Sequence, residues 1–354
     1  MADNKAKLNI RRLKRGDEEN LVEIYRDVFG VELGVRYWRW KYFENPCGEP
    51  TMFVALDGAR IIGETGGIAC NVMVDGRDSR GVQMVDIVVL PEYQKGGPFF
   101  KLAKLVRQTE QAEGALLSYA ISIKKTYKIS TRILKFRGVS PIKRFIKVLD
   151  PSPYLRKKMG PMGGLVGGVG KLGLSVLRPG RLTEDKGLRV VEIKGFDERF
   201  DDLWERVGPS YNIAVVRSSE YLEWRYTRCP IKDYNIFAAV AGERLDGYVI
   251  CAFYMEEGIK KGRIVDIFVE KGNKGSAGLL INRAVDYFRE EGCALAVTWG
   301  LEGSWLSPLL QKANFAVKDT PHDLITRVEN DVMDIDYLRD VNNWHFNMGD
   351  SDYF

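Results

Sequence analysis

The chain repeats itself. Tyr37–Pro46 reads YWRWKYFENP and Tyr221–Pro230 reads YLEWRYTRCP, aligned without a gap at an offset of 184 positions. The same offset carries Ala55, Gly58, Arg60 and Gly63 onto Ala239, Gly242, Arg244 and Gly247. Slightly later, Val85-Asp86-Ile87 matches Val265-Asp266-Ile267 at an offset of 180, as a shorter loop would give. A repeat this long exceeds any solenoid unit, so it reads as a duplicated domain. With 354 residues, each copy has enough chain to close a core of its own.

The most informative stretch of the first copy runs from Val82 to Glu113. Val85, Ile87, Val88, Val89 and Leu90 predict a strand, and Pro91, which has no N–H to give a ladder, ends it. Gln94, Lys95, Gly96 and Gly97 make a turn, after which Phe99, Leu102, Ala103 and Val106 recur at helical spacing. A glycine turn opening a helix leaves backbone N–H groups unpaired at the positive end of the helix dipole, a place suited to a phosphate. No Gly-Lys-Ser/Thr ending and no G-x-G-x-x-G occur here, which excludes the Walker and dinucleotide loops.

The words that remain, Gln94-Lys95-Gly96-Gly97-Pro98-Phe99 after a strand and Pro-Glu-Tyr, resemble motif A of the GNAT acyltransferase superfamily, with Phe99 in place of the last small residue. The resemblance implies that the loop Gln94, Lys95, Gly96, Gly97, Pro98 and Phe99 holds the pyrophosphate of coenzyme A. It also implies that Ile87, Val88 and Val89 line the pantetheine arm. In the second copy Lys274-Gly275-Ser276-Ala277 stands at the matching place without the full pattern, so the cofactor is expected in the first copy.

In chain order, Leu8–Leu13 predicts a strand and Asp17 the cap of a helix with the stripe Leu21, Ile24, Tyr25, Val28 and Phe29. An aromatic helix follows, stopped by Asn45-Pro46, and then the hairpin Met52–Leu56 and Arg60–Val74 around Asp57-Gly58. After the long helix come a strand at Ala115–Ile123, a short helix at Tyr127–Phe136 and a strand at Ser140–Leu149. This order resembles GNAT over residues 8 to 149. The expected fold class is α/β (α+β): two tandem GNAT-like domains, each a mixed, mostly antiparallel sheet flanked by helices. The expected domains are 1–150, which binds acyl-CoA, and 188–328, a degenerate copy. Between them 151–187 forms a Gly-rich apolar connector, and 329–354 forms an acidic, aromatic tail packed on the body.

The aromatics Tyr37, Trp40 and Tyr42, with their echoes Tyr221, Trp224 and Tyr226, sit at helical spacing. They read as core, with a substrate cage as the alternative. The connector carries Leu165, Val166, Val169, Leu172, Leu174, Val176 and Leu177 among many glycines. It reads as a close-packed linker; peripheral membrane contact or a grip on a greasy substrate, aided by Arg156, Lys157, Lys158 and Lys171, is the alternative. Lys124, Lys125, Lys128, Arg132, Lys135, Arg137, Lys143, Arg144 and Lys147 form a basic run with no acid before Asp150, a solvated face or a phosphate contact.

Composition narrows the partners. A net charge of +5 gives no licence for nucleic-acid binding, and no apolar run is long enough to span a membrane. Five scattered cysteines, never in C-x-x-C spacing, argue for reduced thiols in a cytoplasm and for no metal site. Only His322 and His345 are present, so a histidine base has few candidates.

Acetyl transfer to an amine needs a base, donors for the oxyanion and an acid for the thiolate. The family's acid tyrosine is replaced by Leu134 in the first copy and Leu310 in the second, leaving Tyr127 as a substitute. Asp86 interrupts the apolar strand; a partly buried carboxylate beside the cofactor is the kind of group that serves as base, although its echo Asp266 suits a structural role. The chain ends in phenylalanine, as in the enhanced-intracellular-survival type acetyltransferases, whose terminal carboxylate is the base. The resemblance therefore assigns Phe354, or Asp352 beside it, a part in deprotonation, against a tail that only seals an interface. The expected activity is an acetyl-CoA-dependent N-acyltransferase acting by direct attack on a small-molecule amine, with a nucleotide-linked amine as a variant. The alternatives are an aminoacyl- or peptidyl-transferase of the related tandem fold and a non-catalytic acyl-CoA-binding protein.

Overall fold

The computed structural model describes residues 8–159, 180–330 and 333–352. Most of the connector, from 160 to 179, and the terminal Tyr353 and Phe354 lie outside the described residues, so the readings made on them do too. The chain divides into two units, each drawn from three segments: 1–139, 220–231 and 323–339 form the first; 140–219, 232–322 and 340–354 form the second. The units are thus not the contiguous stretches 1–150 and 188–328.

In the first unit β1 (Asn9–Arg12), α1 (Glu18–Phe29) and α2 (Val35–Phe43) precede β2 (Thr51–Asp57), β3 (Arg60–Val74) and β4 (Arg77–Val89). A 3-10 turn at Pro91–Gly96 leads to α3 (Pro98–Ala112), β5 (Leu117–Ile123) and α4 (Lys124–Arg132). The strands β1 to β4 pair antiparallel in sequence, and β5 joins β4 in parallel. Residues 323–328 lie beside β5, where Thr326 Oγ1 donates to Ser118 O at 3.2 Å.

Several local expectations shift. Asp17 does not cap α1, because its carboxylate is already held by Arg11 at 2.6 and 2.7 Å and by the Lys14 N–H at 3.0 Å. Phe29 is exposed at the end of that helix rather than part of the buried stripe. The short helix after β5 starts earlier than Tyr127 and stops at Arg132, since Lys135 takes a left-handed conformation at φ 63°. Tyr37, Trp40, Tyr42, Tyr221, Trp224 and Tyr226 are all buried, which makes them core. Trp40 and Trp224 stack at 5.1 Å, and each indole donates to the other's backbone carbonyl, at 2.8 and 3.0 Å. Apolar burial and satisfied indole N–H groups together hold the 220–231 segment in the first unit.

In the second unit β6 (Arg137–Val148, from residue 140 on), α5 (Ser152–Met159), β7 (Arg189–Ile193), β8 (Ile213–Val215), β9 (Asn235–Ala241), β10 (Arg244–Glu256), β11 (Ile259–Val269), β12 (Leu295–Leu301) and the first part of β13 (Ala316–Val328, up to residue 322) follow. Here β7, β9, β10 and β11 pair antiparallel, β12 joins β11 in parallel, and β6 pairs antiparallel with β12. The helix Lys274–Glu290 buries Leu280, Ile281, Ala284, Val285 and Phe288 in the core of this unit. In the described part of the tail, Leu338 of the first unit and Trp344, Phe346 and Met348 of the second are buried.

Candidate active site

The parallel pairing of β4 with β5 ends at Met84 and Ala120, yet β4 continues to Val89 and β5 to Ile123. Past that point β4 and β5 share no ladder pairing among the described residues, as a strand opening that could take an extended arm requires. The departure has a local cause. Glu64 pairs with Val88 and Gly66 with Val85, so Thr65 alone faces both Asp86 and Ile87. That is a β-bulge, and Asp86 sits in it with φ 51°. A non-glycine residue in that region is uncommon and clusters at functional sites. Ile87 is exposed beside it, whereas Val88 and Val89 are buried.

At the end of β4 the expected phosphate loop is open. Gln94 and Lys95 are exposed, and Gln94 Nε2 ties back to Val89 O at 3.1 Å. Gly97 turns the chain at φ 76°, with nothing within 4 Å of where a side chain would start, and no side chain caps α3. Pro98 has no N–H to offer, so the amides of the following residues are the donors available at this helix start.

Asp86 is enclosed by charge. Its side chain is 10% exposed, pairs with the Lys41 ammonium and lies 2.6 Å from the Tyr42 hydroxyl. The same hydroxyl lies 2.8 Å from Glu64 Oε1, and Glu64 is fully buried on β3. Burial first, then repulsion from Asp86, holds the Glu64 carboxyl well above its usual range. Burial likewise raises Tyr42 well above an ordinary phenol. Lys41, Tyr42 and Glu64 were not singled out as polar site residues by sequence. Tyr42 reads as one more core aromatic, and Glu64 is the one acid in a mostly apolar strand, the one signal available.

Tyr127 has different neighbours. With Met84, Phe99, Ala103 and Ala120 it packs on the cluster of Leu134, Phe136 and Ile325. A Cβ at Gly138 would come within 2.6 Å of its hydroxyl, so the glycine makes room for the phenol. Phe99 and Tyr127 thus meet at one cluster, while no hydrogen bond or ion pair joins Tyr127 to Asp86 among the described residues. Leu134 and Leu310, which stand where the family has its tyrosine, are buried. Phe354 lies outside the described residues.

The corresponding place in the second unit is closed. There β11 stops pairing with β12 at Arg263 and Val297, and Asp266 lies where β11 bulges against β10. Trp344, His345, Phe346 and Asn347 fill the opening together with Ile267, Val269 and Gly300, leaving a cavity of about 20 Å³. That is room for roughly one water. Asn347 Nδ2 donates to Ile267 O at 3.2 Å and to Asp266 Oδ1 at 2.8 Å, taking up the strand edge itself. The helix Lys274–Glu290 is capped by its own Asn273, which accepts from Ser276 N at 3.1 Å. A Cβ on Gly278 of that helix would lie 2.3 Å from Thr183 O, so chain covers its first turn. Asp266 is bound by Arg217, which also holds Asp350 at 3.0 Å. His345 is buried, and that burial with the nearby Arg217 keeps it neutral.

Residues 9–130 match the family model described as an acetyltransferase (GNAT) domain. No curated protein matches the chain in sequence. Among solved structures, a GCN5-related N-acetyltransferase from Anabaena variabilis is 11% identical, with a TM-score of 0.65 over 92% of this chain and 73% of that one. A tandem GNAT protein from the clavulanic acid biosynthesis pathway is 12% identical, with a TM-score of 0.55 over 92% of this chain and 99% of that one. Eis1 from Mycobacterium abscessus is 13% identical, with a TM-score of 0.55 over 91% of this chain and 73% of that one. Identities this low speak for the fold alone. By sequence, residues 9–130 form a GNAT acetyltransferase domain, and the chain as a whole has the fold of tandem GNAT proteins.

Proposed function

We propose that the protein is an acetyl-CoA-dependent N-acyltransferase whose first domain alone binds the cofactor. The observation that carries this reading is the contrast between the two strand openings: that of β4 ends at an uncapped helix start, that of β11 is filled by Trp344–Asn347. In the proposed complex the diphosphate of coenzyme A lies at Gln94–Phe99, and the pantetheine arm pairs with β4 along Ile87–Val89. Asp86 takes the proton of the acceptor ammonium, and the freed amine attacks the thioester directly in a ternary complex. Burial supports this over a cysteine-linked route, because it pushes the Cys47 and Cys293 thiols up to about 11 and Cys251 higher still. With Leu134 buried, the acid at the thiolate is Tyr127 or none, since a thiolate is a tolerable leaving group. The acceptor is a small-molecule amine, with a nucleotide-linked one suited to the exposed cations of α4. The free thiols fit a cytoplasmic protein.

Calorimetry with coenzyme A is expected to give one site per chain. Gly97→Glu, which strains a left-handed turn and sets a negative charge at the phosphates, is expected to abolish it. Two equivalent sites, or binding that survives the substitution, would overturn the assignment. Thiol release from acetyl-CoA over a panel of primary amines tests the chemistry. Asp86→Asn is expected to lower kcat by about 10²–10⁴ with coenzyme A affinity kept; binding without turnover on any amine would favour the non-catalytic reading instead.

A further inference from the structure

Tyr42 presents one hydroxyl to two carboxyl groups, 2.8 Å from Glu64 Oε1 and 2.6 Å from Asp86 Oδ2. A phenol has a single hydrogen to donate. Both contacts are hydrogen bonds only if one carboxyl brings a proton of its own. Lys41 decides which, because its ammonium is ion-paired with Asp86 and favours the charge there. Glu64 then carries the proton and donates it to the Tyr42 oxygen, while Tyr42 donates to Asp86. A second observation agrees: Glu64 Oε2 is buried without a hydrogen-bond partner among the described residues. The carbonyl oxygen of a neutral acid is far less costly to bury unpaired than half of a carboxylate.

We propose that Glu64 is a neutral carboxylic acid in the resting enzyme and, through Tyr42, positions Asp86 as the ionised acceptor of the substrate's proton. The inference rests on the reading of Asp86 as the base. In the step it serves, an N–H bond of the acceptor ammonium breaks and an O–H bond forms on Asp86. The electron pair left on nitrogen attacks the thioester carbon. While Glu64 is neutral, Lys41 and Asp86 balance and the buried cluster has no net charge. A second ionised carboxylate would leave the buried cluster with an unbalanced negative charge. The charged and titratable groups facing Glu64 are Lys41 and Tyr42 from α2, Asp86 from β4, Tyr25 from α1 and Asp17 just before it. Opposite Glu64, β2 presents Val54. At the repeat offset the second copy has Tyr248 in the place of Glu64, and its Asp266 is bound by Arg217. The proton-holding arrangement therefore belongs to the first copy.

Infrared spectroscopy of the full-length protein reads this without turnover. At neutral pH a carbonyl stretch of a protonated carboxylic acid is expected, bleaching as pH is raised and missing in Glu64→Gln. Burial pushes the Glu110 carboxyl up to about 8, so a second such band is expected from it, and Glu110→Gln identifies its share of the signal. Glu64→Gln is neutral and isosteric and is expected to keep the melting temperature at neutral pH and the affinity for coenzyme A. Its melting temperature is expected to fall less than the wild type's as pH rises, because the folded wild type gives up stability when Glu64 loses its proton. A spectrum unchanged by Glu64→Gln, or a pH dependence of melting identical to the wild type's, overturns the proposal. Undiminished turnover in Asp86→Asn would sink the base reading alone and leave the Glu64 band as it was.

Discussion

Arg327 lies buried between two carboxyl groups, 2.6 Å from Glu110 Oε2 and 2.6 Å from Glu329 Oε1. One cation cannot balance two buried anions. Burial above all pushes the Glu110 carboxyl up to about 8, against the pull of Arg327 and with the repulsion of Glu329. The sign follows from proton linkage. In the folded protein Glu110 keeps a proton that the unfolded chain sheds near 4.5, so its contribution is complete below that pH and is lost as pH climbs through about 8. Denaturant unfolding of wild type is expected to show lower stability at about pH 9 than at about pH 6, and Glu110→Gln to flatten that loss. A loss as steep in the variant would mean that Glu110 is ionised throughout. Glu64 and Glu110 share a history in the sequence: each is one acid in an apolar or amphipathic run. Nothing local marks either as a proton holder, because the groups that make them so lie on other elements.

Elements explain why duplicated sequence gives unequal sites. Both copies bulge at the same Val-Asp-Ile words, and both leave a strand running on past its parallel partner. The difference lies in what fills the opening and in how each helix start is finished, Gly97 without a side-chain cap in one and Asn273 with one in the other. In the second unit the filling segment is anchored by Arg217, buried and bound to both Asp266 and Asp350. Arg217→Ala leaves two buried carboxylates without their cation and is expected to cost about 3–5 kcal/mol in stability, read by chemical denaturation. A cost below about 1 kcal/mol would show that water reaches the pair and that the segment is held by its apolar side chains instead.

For the whole molecule, the prediction concerns the chain end. The resemblance to enhanced-intracellular-survival type acetyltransferases implies a part for Phe354 in the reaction, a reading that its removal tests. Removing Tyr353 and Phe354 is then expected to lower kcat/KM at an unchanged melting temperature. Full kcat/KM in the shortened protein would leave the tail a packing role, which Leu338, Trp344, Phe346 and Met348 already fill. Among the described residues no helix is long and apolar enough to cross a membrane. The exposed cations Lys124, Lys125, Lys128 and Arg132 on α4 remain as the surface on which a phosphate-bearing acceptor would be sought.

The amino-acid sequence by itself determined the duplication, the strand–turn–helix of Val82–Glu113 and the GNAT domain of the first copy, since periodicity, turn residues and motif spacing are written between near neighbours in the chain. It also singled out Asp86, because one acid in a run of valine and isoleucine is a local anomaly. Only the tertiary structure decided that Asp86 shares its surroundings with Lys41, Tyr42 and Glu64, since strand register, a one-residue bulge and the seat of α2 bring them together. Tertiary structure likewise decided that residues 220–231 and 323–339 complete the first unit and 340–354 the second. Where a segment pairs depends on which partner buries its side chains and satisfies its backbone best, a competition among distant parts of the chain that no local pattern records.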